Sequence, residues 1–425
     1  YIFRGALDVR SKEINEEMKI AAANAIALLA RENVPDEVVA AYGGDRPKYG
    51  KEYIIPSTFD PRLISVIPAA VAQAAMKSGV ARKKIQNIEE YKDKLINRLD
   101  PSMSLMQGIN AKIKKNLKKV IFAEGEDINM LKAAVEFGKN KLGIPILIGS
   151  EKKVREQLKE IGLDQNYKIE IVNSTDKIKR EKYVKYLYRK LQRDGQLERD
   201  VDRLVRNDRI AWGSSMIACK DADAMVTGNI RHYAASIEKL KKVVDPREGE
   251  EIFGMTMMVS KGKTILVADT NVKDFPSAER LAKVSISCVR VARLFGFDPK
   301  VAFLSHSTFG KPVSKNTKHV RDAIEILKTK KVDFDFDGEM QPDVALNSIY
   351  QEIYPFSKIV GNANILMMPA LHSAAISTKL MKSFGGAKLI GPLLIGLGLP
   401  IEVAPLRSST SDILNLASIA AYSSD

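Results

Sequence analysis

Residues 12–32, KEINEEMKIAAANAIALLARE, set Ile14, Met18, Ala21, Ala25, Leu28 and Leu29 at spacings that line one face of a helix. ENVPDEVVAAYG follows and predicts a turn and a second short helix. In YIIPSTFDPRLISVIPAAVAQAAMKSG, prolines punctuate a short extended piece, and small residues then continue as a helix. From 81 to 116 the chain is rich in lysine, arginine and polar residues, with helical periodicity in NIEEYKDKLINRLD. That stretch reads as an exposed helical connector. It separates a mostly helical segment, 1–80, from a domain spanning 117–425.

Beyond 116 the pattern changes. KKVIFAEGE, IPILIGS, KIEIVNS, AMVTGN, TILVADT, KVAFLSHST, FDFDGEM and ILMMPA are short apolar runs, separated by helical stretches. Strand alternating with helix predicts an α/β fold of mainly parallel sheets with helices on both faces. In such sheets the ligand crevice lies beyond the carboxyl ends of the strands, so the residues following each run are the ones to inspect.

Four strand ends carry candidate chemistry. Asp127, after VIFAEGE, is placed to cap the next helix. Arg231 and His232, after AMVTGN, either face an anion or serve the structure. LSHSTFGKP puts Ser305, Ser307, Thr308, Gly310 and Lys311 where N–H groups, hydroxyls and an ammonium can cradle a phosphate, with an ordinary polar turn as the alternative. DFDGEMQPDVALN offers Asp335, Asp337, Glu339 and Asp343 for acid/base or magnesium chemistry. The same residues also suit a turn at Asp337-Gly338 and a helix cap at Asp343. No G-x-G-x-x-G follows a strand, and the glycines of GGAKLIGPLLIGLG flank a hydrophobic strand, which excludes a dinucleotide-binding fold in this chain.

Composition narrows the classes. The 425 residues are 45% hydrophobic and 28% charged, enough for two or three domains. No run of eighteen apolar residues suggests a membrane span. The start, YIFRGALDVR, lacks methionine and a signal-peptide layout and reads as the interior of a longer polypeptide. Two cysteines, Cys219 and Cys288, fit a reducing cytoplasm better than a disulfide framework. Four scattered histidines give no metal-ligand spacing. The net charge of +15 is spread along nearly every helix without interleaved aromatics, so solvated faces are favoured over nucleic acid. A polyanionic small molecule remains compatible with it.

Several motifs together resemble the phosphate acetyltransferase (phosphotransacetylase) family. They are VIFAEGEDINMLKAA, DADAMVTGNIRHYAASI, ILVADTNVKDFPSAERLA, PKVAFLSHSTFG, DFDGEMQPDVALN, ANILMMPALHSAAISTKLMKSFGGAKLIGPLLIGL and SDILNLASIAA, in that family's order over roughly 117–425. The segment YIFRGALDVRSKEINEEMKIAAANAIALLARENVPDEVVAAYG and its continuation EYIIPSTFDPRLISVIPAAVAQAAMKSGVA resemble the end of a malic enzyme catalytic region. The combination is similar to the large bacterial NADP-dependent malic enzymes, in which a phosphotransacetylase-like domain follows the malic domain.

The resemblance implies a two-subdomain architecture and a homodimer formed through that domain, with a higher oligomer for the full-length protein. It implies NADP and Mg or Mn for the parent protein only, whose malate chemistry lies upstream of Tyr1. It also marks a departure. Active phosphotransacetylases have KPVNDLSRG, whose serine and arginine position the coenzyme A thiol and the acyl phosphate, followed by an aspartate general base. In IGLGLPIEVAPLRSSTSDIL, Asp412 falls at the aspartate position, but Pro405 and Leu406 hold the serine and arginine positions, and Glu402-Val403 replace Asn-Asp. A further arginine of the family falls near Glu238. Leucine offers no donor to phosphoryl oxygens, and proline supplies neither hydroxyl nor N–H.

The expectation is a catalytically degenerate domain that binds acetyl-CoA as an effector, without nucleic acid or membrane. Ser305, Thr308, Lys311, Arg407, Ser408 and Asp412 are the candidate ligand contacts. An active phosphate acetyltransferase using Arg407 and Asp412 is the alternative.

Overall fold

The computed structural model describes residues 1–425 except 33, 35–46, 59, 100, 161, 163–167, 261, 271, 315, 316 and 425. The turn and short helix expected from ENVPDEVVAAYG lie almost wholly outside the described residues. The chain forms two compact units, Tyr1–Ser104 and Leu105–Asp425.

The first unit is helical. Asn15 accepts a hydrogen bond from the Met18 N–H and starts the helix Glu16–Ala30. Met18, Ala25 and Leu29 are buried as the spacing predicts, but Leu28 stays exposed, since adjacent Leu28 and Leu29 cannot both face inward. Helix Ile2–Asp8 crosses helix Leu63–Lys77 so closely that a Cβ on Gly5 would lie 2.5 Å from the Pro68 carbonyl. The stretch expected as an exposed connector is instead packed. Tyr91 and Leu95 of helix Ile88–Leu99 join the first unit's core, while Met106, Ile109 and Ile113 of helix Pro101–Ile113 join the second unit's core. Its many lysines hid a buried stripe at helical spacing.

The second unit holds two sheets. The first has the order β11-β4-β1-β2-β3, with β1 Lys119–Phe122, β2 Ile144–Ile148, β3 Glu170–Val172, β4 Ala224–Gly228 and β11 Ile401–Ala404, all parallel. Period-two alternation splits β1 between two cores. Val120 and Phe122 meet helices Ile128–Lys139 and Thr410–Tyr422, while Ile121 and Ala123 meet Tyr183, Leu187 and Trp212 on the other face.

The second sheet has the order β10-β5-β6-β9-β7-β8. Its strands are β5 Phe253–Ser260, β6 Lys263–Ala268, β7 Lys300–Leu304, β8 Asp335–Met340, β9 Ile365–Met367 and β10 Lys388–Ile395. Strands β6, β9, β7 and β8 run parallel, whereas β5 pairs antiparallel with both β10 and β6. Helices Ala278–Leu294 and Lys318–Lys330 cover one face, and helix Leu371–Ser383 packs on the other through Ala374 and Met381. The expected α/β architecture with mainly parallel sheets is therefore present, with one antiparallel strand, β5, set between β10 and β6. Because all five strands of the first sheet run the same way, their carboxyl ends lie along one edge of it, where a parallel sheet places its ligand crevice.

Candidate ligand crevice

The candidate crevice is built on Glu124, which lies two residues beyond β1 and is fully buried. Its carboxylate accepts from the Thr227 hydroxyl at 3.0 and 3.2 Å and from the Gly228 N–H at 2.9 Å. Arg231 Nη2 stands 3.6 Å from Glu124 Oε1, too long for a good hydrogen bond and close enough for strong attraction between charges. Burial pushes the Glu124 carboxyl up to about 7, against the opposing pull of Arg231, Thr227, Gly228 and Arg209.

Local geometry forces the residues after β4 into place. Gly228 has φ +111°, and a Cβ there would lie 2.2 Å from the Ala404 carbonyl, so only glycine lets β4 and β11 run this close. Asn229 follows in the left-handed region at φ 67° and donates to Asp127 Oδ1 at 2.6 Å. Asp127 also accepts from the Asn129 and Met130 N–H groups, the capping role expected from the sequence. Buried polar atoms without a partner here include Arg231 Nη1 and Asn229 Oδ1, and Tyr233 Oη and Ser236 Oγ on the helix that follows. Helix Tyr233–Val243 starts beside them with His232 at its N-cap and no side-chain cap bond. Its first turn thus offers unsatisfied N–H donors and the positive end of the helix dipole next to an orphaned guanidinium nitrogen.

The turn after β11 closes the other side. Arg407, at φ 60°, donates its N–H to the Asn229 carbonyl at 3.0 Å, and its side chain is exposed. Ser408 is buried and spends its hydroxyl on the Pro405 carbonyl at 2.8 Å. Asp412 forms a capping box with Ser409, accepting from its hydroxyl at 2.9 Å and its N–H at 3.2 Å. It therefore serves the start of a helix. Leu406 is 44% exposed, and Glu238 lies on the exposed side of its helix.

The second sheet's strand end behaves differently. Ser307 Oγ and the Gly310 N–H donate to Glu339 Oε1 at 2.9 and 3.0 Å, and Arg321 Nη1 reaches the same oxygen at 3.1 Å. The donors expected to hold a phosphate enclose the chain's own carboxylate. Ser305 is buried with its hydroxyl 3.4 Å from that of Ser307, and Thr308 accepts from the Gln341 N–H at 3.2 Å. Only Lys311 of the three candidates here is exposed. Asp337 accepts from the Gly338 and Lys358 N–H groups, but the turn expected at Asp337-Gly338 is absent, because both residues lie within β8 and pair with β7. Among the described residues no group of three His, Cys, Asp or Glu side chains could hold a metal ion.

Sequence reasoning passed over Glu124, and it noted Glu402 only as a departure from the family's Asn-Asp, without its burial. Glu402 sits on β11, and its Oε2 accepts from the Leu394 N–H of β10 at 2.8 Å, tying the edge strands of the two sheets together. Burial pushes its carboxyl up to about 8. The available signal was an acid interrupting or extending a short apolar strand, in VIFAEG and in PIEVA.

Residues 104–421 match the family described as phosphate acetyl/butaryl transferase. The chain belongs to that family. The phosphate acetyltransferase of Clostridium acetobutylicum is 31% identical over 75% of this chain and 97% of its own length. A phosphotransacetylase from Streptococcus pyogenes shares the fold with a TM-score of 0.71 and 29% identity, over 76% of this chain and 98% of that one.

This member of the phosphate acetyl/butaryl transferase family extends beyond the transferase region. The NADP-dependent malic enzyme of Rhizobium meliloti is 47% identical over 99% of this chain but only 56% of that protein. The chain thus corresponds to the C-terminal part of such malic enzymes and spans a little over half the length of the curated relatives it matches. Among the described residues no helix is long and apolar enough to cross a membrane.

Proposed function

We propose that this chain is the regulatory and assembly part of a cytoplasmic, NADP-dependent, decarboxylating malic enzyme. Its transferase-like domain has lost catalysis and binds acetyl-CoA as an effector. The observation that carries the reading is the contrast within one crevice. Arg231 keeps a buried guanidinium nitrogen without a partner beside an uncapped helix start, while Pro405 and Leu406 stand in the turn opposite. Anion-binding capacity remains where the groups that would drive acyl transfer are missing.

In this reading Arg231 and Arg407 supply charge to the ligand, Ser408 shapes the turn, and Lys311 meets a coenzyme phosphate from the rim. Ser305 and Thr308 support that rim from within. NADP and Mg or Mn belong to the remainder of the parent protein, and the transferase-like domain pairs with a second copy of itself.

The alternative, an active phosphate acetyltransferase using Arg407 and Asp412, is favoured by the alignment to nearly full-length phosphate acetyltransferases. It is opposed by the capping box that occupies Asp412. Calorimetric titration with acetyl-CoA, followed by an acetyl phosphate assay on the same sample, decides. Binding without turnover is the expected result. Turnover establishes the alternative, and absence of binding removes the effector.

A further inference from the structure

Glu124 is placed between the scaffold and Arg231, a charged side chain that is incompletely paired. Two of its contacts, the Thr227 hydroxyl and the Gly228 N–H, are neutral donors that a protonated or an ionised carboxyl can each accept. The third neighbour is Arg231, whose Nη2 hovers at 3.6 Å while its Nη1 is buried without a partner. A guanidinium in this position has one competing anion inside the protein and one buried nitrogen without a partner.

The other charged groups near Glu124 are committed elsewhere. Arg209, at the start of helix Arg209–Ala218, pairs with Glu126 at 3.0 Å. Glu126 also accepts from the Ser150 N–H at 2.8 Å. Asp127 is held by its own helix start and by Asn229. Proton exchange at Glu124 therefore acts chiefly on Arg231.

The geometry points to Glu124 as a positioning residue that couples proton uptake to anion binding at Arg231. This inference rests on the effector reading above. Ionised Glu124 draws the field of Arg231 inward, while neutral Glu124 leaves the whole positive charge to an incoming acyl-CoA phosphate or thioester oxygen. An arriving anion in turn disfavours the ionised carboxyl, so ligand binding takes up a proton by reciprocal linkage. The carboxyl is suited to this at neutral pH, because burial holds it near 7.

The test uses the whole chain and acetyl-CoA as probe. Calorimetric titrations between pH 6 and 8.5 are compared for the wild type, Glu124→Gln and Arg231→Gln, each with a thermal melt as a folding control. Titration of the ligand's own phosphates is common to all three and cancels in the comparison. Wild-type affinity should weaken by about 10-fold from pH 6 to 8.5 relative to Glu124→Gln. Glu124→Gln should bind at pH 8.5 about as tightly as the wild type does at pH 6, with smaller proton uptake measured across buffers of different ionisation enthalpy. Arg231→Gln should bind weakly with a similarly flattened profile, which keeps the test informative if Glu124→Gln fails to fold.

A Glu124→Gln variant with the wild-type pH profile overturns the coupling and leaves the effector reading standing. An Arg231→Gln variant with undiminished affinity also overturns it. Absence of acetyl-CoA binding to the wild type at every pH removes the effector reading and the coupling with it.

Discussion

Two strand ends of the second unit look alike in sequence and differ in structure. VTGNIRH and LSHSTFG each follow an apolar run with small, hydroxyl and basic residues. At the second, Ser307, Gly310 and Arg321 converge on Glu339 Oε1, so the loop carries its own anion, while Glu339 Oε2 is buried without a partner. At the first, the resident carboxylate Glu124 takes Thr227 and Gly228 but stands 3.6 Å from Arg231, and buried polar atoms remain without partners. The difference lies in the charge of the unpartnered group: an oxygen of the resident anion at the second end, a nitrogen of a guanidinium at the first, and only the latter attracts an anion.

The comparison can be broken in order of expected effect. Glu339→Ala leaves Ser307 and the Gly310 N–H without their acceptor, and should cost about 2–3 kcal/mol in a denaturant melt. The exposed part of Arg321 lowers the ionic share of that loss. A loss below about 0.5 kcal/mol would mean the second loop is not closed on Glu339. Arg231→Ala should leave stability nearly unchanged below pH 6, where Glu124 is mostly neutral, and weaken acetyl-CoA binding by about 10- to 100-fold, the range of a hydrogen bond to a charged group. Unchanged affinity would place the ligand elsewhere.

A pH effect comes next. Glu124 and Glu402 are held at about 7 and about 8 against an ordinary 4.5, so the folded chain binds protons that the unfolded chain has released. Their contribution to stability is full below about pH 4.5 and is lost as pH rises through 7 and 8. Glu402→Gln keeps an acceptor for the Leu394 N–H and removes the charge. It should raise Tm by about 2–4 °C at pH 8.5 and change it little at pH 5. Equal shifts at both pH values would contradict a buried charge at Glu402. The smallest effect is at the helix start, where Asp412→Ala should cost about 0.5–1 kcal/mol through the lost capping box.

Much of the fold was legible because parallel strands buried on both faces read as short apolar runs between amphipathic helices. VIFAEG, IPILIGS, AMVTGN and KVAFLS each became a strand where the pattern placed one. FGMTMMVS did not announce β5, since a continuous methionine-rich run carries neither the period of a half-buried strand nor β-branched enrichment. The helix 88–99 was misjudged because Tyr91 and Leu95, four residues apart, are outnumbered by charges on the exposed faces.

At the site, Asp127 was readable because capping is a local relation between neighbours. Glu124 was not, because its role depends on Thr227 and Arg231, more than a hundred residues away. The occupied state of the 305–311 loop was hidden for the same reason. Its anion, Glu339, belongs to the next strand and looked like a candidate catalyst.

The central claim is that the first strand end is open to a ligand and the second is filled. Titrating acetyl-CoA into Arg231→Gln and Lys311→Ala, with the wild type as reference, tests it most directly. The account predicts that Arg231→Gln loses most of the affinity, Lys311→Ala loses a few-fold at most as a surface charge does, and none of the three forms acetyl phosphate. A larger loss at Lys311 than at Arg231, or acetyl phosphate from the wild type, would contradict it.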